Sequence, residues 1–485
     1  MATETDKSPN IDFVHPDLRA VLTRYQMIAD CLEGEEAVKR AGNGGDAYLI
    51  RPNTPNSVNS RPSRVGDDDD PMFDAAAVTE EQEERFRQLV ARAVFYNVTQ
   101  RTWRGLVGSV FRNEPVVTVP ELLPRIEEDC DGAGVPLAQQ AEKAAGYALA
   151  FGRYGLLVDY PSLAEPATRA QVVSGDVSPT VVLYDPQSVI NWRTIVVGAS
   201  RILSLVVIRE SVSVSDDGFQ TEDEPRWRVL RLVQGEADGG LVYEVSMWKQ
   251  GAKSGYELDG VPIVPKDGSG KPFTRIPFLF GGAVNNDPEA DLPPLADLAG
   301  LNIAHYRNSA DNEELLHMCG QATPIVCGLT EDWAREILRG EVRLGSRGLV
   351  PLPAGGSATL LQMQSTTAIS EAMKDKERQM VALGAKLVEQ KQVQRTATEA
   401  AIDDAAETSV LGSCVRNVEA AYRWALQVCC DFVGASRDSV DFVIPWKDQP
   451  VNLEGQEPGN DNGSTGAPAP VGADVSPDKS GSVTQ

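Results

Sequence analysis

The pattern of apolar and polar positions is most regular between Asp291 and Val433. Segment Leu292–Met318 places Leu295, Leu298, Leu301 or Asn302, His305 and Tyr306 on one helical stripe. Segment Thr367–Val388 places Ile369, Met373, Lys376, Met380, Leu383 and Leu387 on another. At 1.5 Å rise per residue each rod would span roughly 30–40 Å. Between them, Ala322 to Leu361 carries its own strand and turn signals. It also contains a short helix, Glu331–Arg339, with Trp333, Ile337 and Leu338 on one face. A polar hinge and a further long helix, Glu399–Val433, follow. Two rods joined at one end by a small module suit a component of a larger assembly better than a pocket enzyme.

Upstream, Phe13–Leu32 reads as an amphipathic helix lined by Leu18, Val21, Leu22, Tyr25, Ile28, Ala29 and Leu32. Asn43–Asp74 reads as a loop. Thr79 and Gln82 resemble a capping box opening a helix from Glu80 toward Arg104. Val107–Val119 reads as extended, Glu121–Asp131 and Leu137–Phe151 as helices, and Tyr154–Tyr160 and Thr180–Tyr184 as strands. From Arg201 to Ile276 the period shifts to two. Leu203–Arg209, Arg226–Leu232, Leu241–Trp248 and Val261–Val264 predict an antiparallel meander. After Pro445 large apolar side chains almost vanish, so Gln449–Gln485 lacks the burial that would offset its ordering entropy.

The length suggests about two to four domains of a globular α+β class. There is no apolar run of 18 or more, which argues against a membrane span, and Met1–Asn10 holds no signal-type apolar stretch. The seven cysteines form no CxxC pair, as suits reduced, buried thiols. The net charge of −25 disfavours tight non-specific DNA binding, yet an acidic wall would let DNA pass without sticking.

Candidate chemistry is sparse. Gly268-Ser-Gly-Lys271 is followed by Pro272 where a phosphate loop needs Ser or Thr, so it reads as a turn. His305 and His317 lie too far apart for a helical metal pair and read as core or inter-helix residues. Asp67–Asp70 lacks the alternation of a calcium loop. Acid clusters occur at Glu80–Glu84 and Glu127–Asp131. A third, Asp403, Asp404 and Glu407, would serve a metal-dependent α+β enzyme, the first alternative reading; a cellular scaffold is the other. No catalytic array, metal site or cofactor site is predicted. Charge reverses locally between Lys374 and Arg395, where six bases (Lys374, Lys376, Arg378, Lys386, Lys391 and Arg395) face three acids. Lys386, Gln390, Lys391, Gln392, Gln394 and Arg395 could touch phosphate without reading sequence.

Four passages, in order, resemble tailed-bacteriophage portal proteins: Phe95–Phe111, Ala148–Tyr160, Tyr184–Trp192 and Pro294–Tyr306. The subgroup they look closest to is podovirus-like and catalogued as a domain of unknown function. The resemblance covers roughly residues 13–445 and implies a portal-like α+β fold. After a disordered arm, residues 1–12, an α/β wing would span 13–290. Stem helices would span 291–319 and 363–388, packed through Leu295, Leu298, Ile369, Met373, Met380, Leu383 and Leu387 against neighbouring copies. A small α/β clip would span 320–362, presenting Arg335, Arg339 and Arg343 to partners, and a tunnel loop 389–398. A long helix toward a short crown would span 399–446, and a disordered tail 447–485. The same resemblance implies a homo-oligomeric ring, dodecameric in the family, at the capsid vertex of a virion assembled in the host cytoplasm. Its implied partners are double-stranded DNA held non-specifically, the terminase motor, a head–tail adaptor and the major capsid protein.

Overall fold

The computed structural model describes residues 10–51, 80–161, 169–175, 177–214, 218–219, 221–235, 239–251, 255–320, 323–328, 354–361, 367–387 and 409–446. All of them belong to one compact unit, Met1–Val451.

The core is built on helix α5 (Leu137–Phe151) and the strand after it, β2 (Arg153–Asp159). An alanine-rich sequence favours helix at α5. Gly152 ends it in a left-handed conformation, φ 73°, which returns its N–H to the Ala148 carbonyl and turns the chain into β2. Arg153 to Val158 are all buried because β2 is the central strand of an antiparallel sheet, between β3 (Thr180–Tyr184) and β9 (Phe278–Gly282). Gly281 is required where it stands: a Cβ there would meet the Tyr154 ring at 2.0 Å. Helix α9 (Val410–Val433) packs on α5, β2 and β9, burying Val418, Tyr422, Ala425 and Cys429.

A second sheet is the predicted meander, in the order β4-β5-β6-β7-β8, all antiparallel. Its strands are Val189–Val197, Ser200–Val214, Glu222–Gln234, Leu241–Gln250 and Tyr256–Leu258. The first strand was not foreseen. Val261–Val264 is not a strand; only Ile263 bridges to Val245.

The N-terminal helices are α1 (Pro16–Glu33), α2 (Glu35–Gly44), α3 (Glu80–Arg92) and α4 (Val98–Val110). Helix α1 buries Leu18, Tyr25 and Ile28 as its spacing predicts; α2 is not predicted by the spacing, and within it Ala41, Gly42 and Asn43 leave helical geometry, where the loop is expected to begin. The single helix expected from Glu80 toward Arg104 is two. Asn97 caps the second, accepting from the Gln100 N–H at 2.9 Å, so the chain bends instead of running through. The extended reading of Val107–Val119 holds only for β1 (Val116–Thr118), which pairs with β12 (Asp441–Val443). Glu121–Asp131 forms turns, not a helix: Asp129 accepts from the Gly132 and Gly134 N–H groups, and Asp131 from Ala133. The remaining short elements are α6 (Arg169–Ser174) and a 3-10 turn, Arg437–Ser439.

Candidate functional site

Two long helices dominate the second half of the chain, α7 (Ala296–Gly320) and α8 (Ala368–Lys386). Their lengths correspond to roughly 37 and 28 Å. They pack along each other. Three residues beyond the end of α7 a ribbon begins, β10 (Thr323–Cys327) paired antiparallel with β11 (Ser357–Leu361), and the chain returns from it into α8. At the far end the Leu411 N–H donates to the Leu387 carbonyl, tying the start of α9 to the end of α8.

The apolar stripe of α7 is helical as its spacing predicts, but Leu295 and Leu298 bury in the subunit's own core and not against neighbouring copies as expected, and its polar members carry as much. Leu295, Leu298, Ile303 and Tyr306 are buried. Asn302, fully buried, accepts from the Val98 N–H, the Thr99 N–H and the Thr99 hydroxyl and donates to the Tyr96 carbonyl at 2.9 Å. Ser309 accepts from the Val94 N–H at 3.1 Å, and Glu314 pairs with Arg85 and Arg92. The bend between α3 and α4 is therefore held by one face of α7. A hydrophobic-stripe argument reaches Asn302 by position but not its partners, and passes over Ser309 and Glu314.

The stripe of α8 divides. Met380 is fully buried, and Leu383 and Leu387 pack partly on the same core. The expectation that this stripe buries only against neighbouring copies fails for these three, since the subunit covers them itself. Ile369 and Met373, nearer the ribbon, are half-buried and outside that core. His305 sits between the helices, its Nε2 3.3 Å from Glu377 Oε1, as the inter-helix reading requires. Lys374 and Lys386 are exposed, and Arg378 pairs with Asp375.

Other predicted residues lie outside the described residues: Arg335, Arg339 and Arg343 of the clip, with Trp333, Ile337 and Leu338; Gln390, Lys391, Gln392, Gln394 and Arg395 of the tunnel loop; Asp67–Asp70; Asp403, Asp404 and Glu407; and the tail 447–485. Among the described residues no group of three or more His, Cys, Asp or Glu could hold a metal ion, and no helix is long and apolar enough to cross a membrane. Gly268–Lys271 is a turn closed by Asp267, which accepts from the Ser269 and Lys271 N–H groups.

A cleft of about 830 Å³ opens along the outer edge of β9, walled by Trp192, Phe278, Phe280 and Trp424. Behind two of these walls Arg153, itself buried, is sandwiched between Trp192 and Phe280, its guanidinium carbon 3.9 and 3.8 Å from the ring centroids. One terminal nitrogen donates to the Pro288 carbonyl at 3.0 Å and the other has no partner. Burial pulls the Arg153 pKa down to about 10. His15 stacks on the other face of Trp192 at 3.9 Å, and burial lowers its pKa too. Nothing here resembles a nucleophile with its base.

A profile described as a domain of unknown function, DUF4055, matches residues 294–433, the stretch from α7 through α9. No curated protein matches the sequence. Among solved structures, a chain from the "Neck of empty GTA particle computed with C6 symmetry" is similar over 74% of this chain and 83% of that chain. Its identity is 14% and its TM-score 0.36, a loose likeness on which no functional statement rests.

Proposed function

We propose that this chain is a portal-type ring subunit of a tailed phage, standing at a capsid vertex where DNA enters and leaves. The observation that carries the reading is the pairing of α7 and α8 around a separate β-ribbon, with α9 returning into the body. A rod pair with a small module at one end gives a ring a wall and a docking rim. In this reading α7 and α8 are the stem and residues 320–362 the clip that meets the motor and later the adaptor. Residues 389–398 form the tunnel loop, and residues 13–290 face the capsid protein.

Charge supports the same reading. At −25 per chain, a closed ring lines its channel with repulsion that keeps a polyanion moving. The few bases from Lys386 to Arg395 supply transient, salt-screened contacts to phosphate. Energy for movement would come from a separate motor, so the ring itself hydrolyses nothing.

Sedimentation velocity of the purified chain tests this. A ring sediments at many times 52.3 kDa, whereas a free-standing enzyme or monomeric adaptor sediments near that mass.

A further inference from the structure

The acidic turn at Glu127–Asp131 and the cleft along β9 lie at opposite edges of one sheet. The strand order is β3-β2-β9. The turn is fastened to the β3 edge, where the Val181 N–H donates to the Cys130 carbonyl at 2.6 Å. The cleft follows the β9 edge, where consecutive residues Phe278, Leu279 and Phe280 all line it.

Their charges are complementary and unspent. Arg193 from β4, Arg201 from β5 and Arg275 ahead of β9 converge on the cleft. All three are exposed, and among the described residues none is in an ion pair. In a chain with 45 bases and 70 acids, three arginines without a counter-ion in one cleft are out of keeping with the rest. Arg437, also at the cleft, is already bound to Asp431. Asp17, Asp287 and Glu289 also line the cleft but form no ion pair with these arginines; Asp17 stands beside His15, and Asp287 accepts the Glu289 N–H. Behind Trp192 and Phe280 of the cleft, Arg153 keeps one buried nitrogen without a partner. In the turn, Asp129 and Asp131 are committed to backbone N–H groups. Glu127 and Glu128 are exposed and unpaired among the described residues.

We infer that the β9 cleft receives the Glu127–Glu128 turn of a second copy of this chain, carboxylates against Arg193, Arg201 and Arg275. This rests on the ring reading and names the contact that would close the ring. Two different patches, one at each edge of the same sheet, make a head-to-tail interface, the kind that repeats around a closed ring. Guanidinium–carboxylate pairs fix its geometry. The remaining negative charge of the chains opposes any other pairing.

The test is a charge swap read by light scattering. One variant carries Arg193→Glu, Arg201→Glu and Arg275→Glu; the other carries Glu127→Arg and Glu128→Arg. In each variant alone, cleft and turn repel, and half-assembly needs at least about tenfold more protein than wild type. In an equal mixture the acidic cleft of one meets the basic turn of the other, and assembly returns. All five positions are exposed, so circular dichroism of each variant matches wild type. The inference is overturned if either variant assembles as wild type does, or if the mixture fails to rescue. It is also overturned if the cleft binds inorganic phosphate or a nucleoside triphosphate with no effect of either variant on assembly. In those cases wild-type rings still form and the ring reading stands. A wild type that stays monomeric at every concentration removes both.

Discussion

The amide oxygen of Asn302 accepts hydrogen bonds from both the backbone N–H and the hydroxyl of Thr99, at 3.0 and 2.9 Å. One side chain on α7 thereby serves as an external cap for α4, added to the local cap from Asn97. Asn302→Leu should lower the unfolding free energy by about 3 kcal/mol, because it strands buried donors and the Tyr96 carbonyl. Thr99→Val, which removes a single donor, should cost about 1 kcal/mol. Urea unfolding followed by tryptophan fluorescence measures both. Negligible losses in both would mean that α4 is fixed by its apolar face alone.

The divided stripe of α8 makes a second prediction. Met380→Ala should destabilise the isolated subunit by about 2–5 kcal/mol, as a fully buried side chain does on truncation. Ile369→Asp with Met373→Asp should cost the subunit under about 1 kcal/mol, since neither joins its core. In a ring those two face a neighbour, so the double variant should melt normally and fail to assemble. Thermal melting and gel filtration on the same samples separate the effects. A double variant that melts early would place both residues in the subunit's own core.

Much of the fold is legible in the sequence where one period dominates. Leu137–Phe151 and Thr180–Tyr184 fall where the pattern puts them, and the meander is there because alternation and turn residues agree. The errors sit where partners distant in sequence decide. Nothing local says that Ser309 and Asn302 will take up the backbone groups freed by bending the chain between Arg92 and Val98. The Glu121–Asp131 segment has helical residues, yet its carboxylates bond to nearby N–H groups and hold turns. The unforeseen strand, Val189–Val197, carries a register shift on either side of Asn191–Arg193, which breaks the alternation a sequence search needs. The cleft was not legible at all, because its arginines come from separate elements.

Buried thiols give a pH prediction. Burial raises the pKa of Cys31, Cys130 and Cys414 from 9.0 to about 12. Between those values the folded state holds protons that the unfolded state releases, so stability is full below pH 9 and falls as pH rises above it. Urea midpoints from pH 8 to 11 should decline progressively. In the native protein a thiol reagent should reach Cys327, which is exposed, well before the five buried cysteines. Rapid modification of all seven thiols in the folded state would contradict the packing around α9.

The tunnel-loop proposal makes its own prediction for DNA. Lys391→Ala with Arg395→Ala should leave assembly unchanged and alter genome retention, read as packaged DNA length per particle. The effect should shrink as salt rises, because the contacts are to phosphate. Particles that fill and hold DNA identically would reduce this segment to a hinge.

The most direct test of the portal reading is an electron-microscope image of the purified chain in negative stain. Class averages should show closed rings with a central channel and a narrow projection on one side, formed by α7, α8 and the β10–β11 ribbon. Compact single particles of about the monomer mass, at concentrations well above those in an assembling particle, would contradict it.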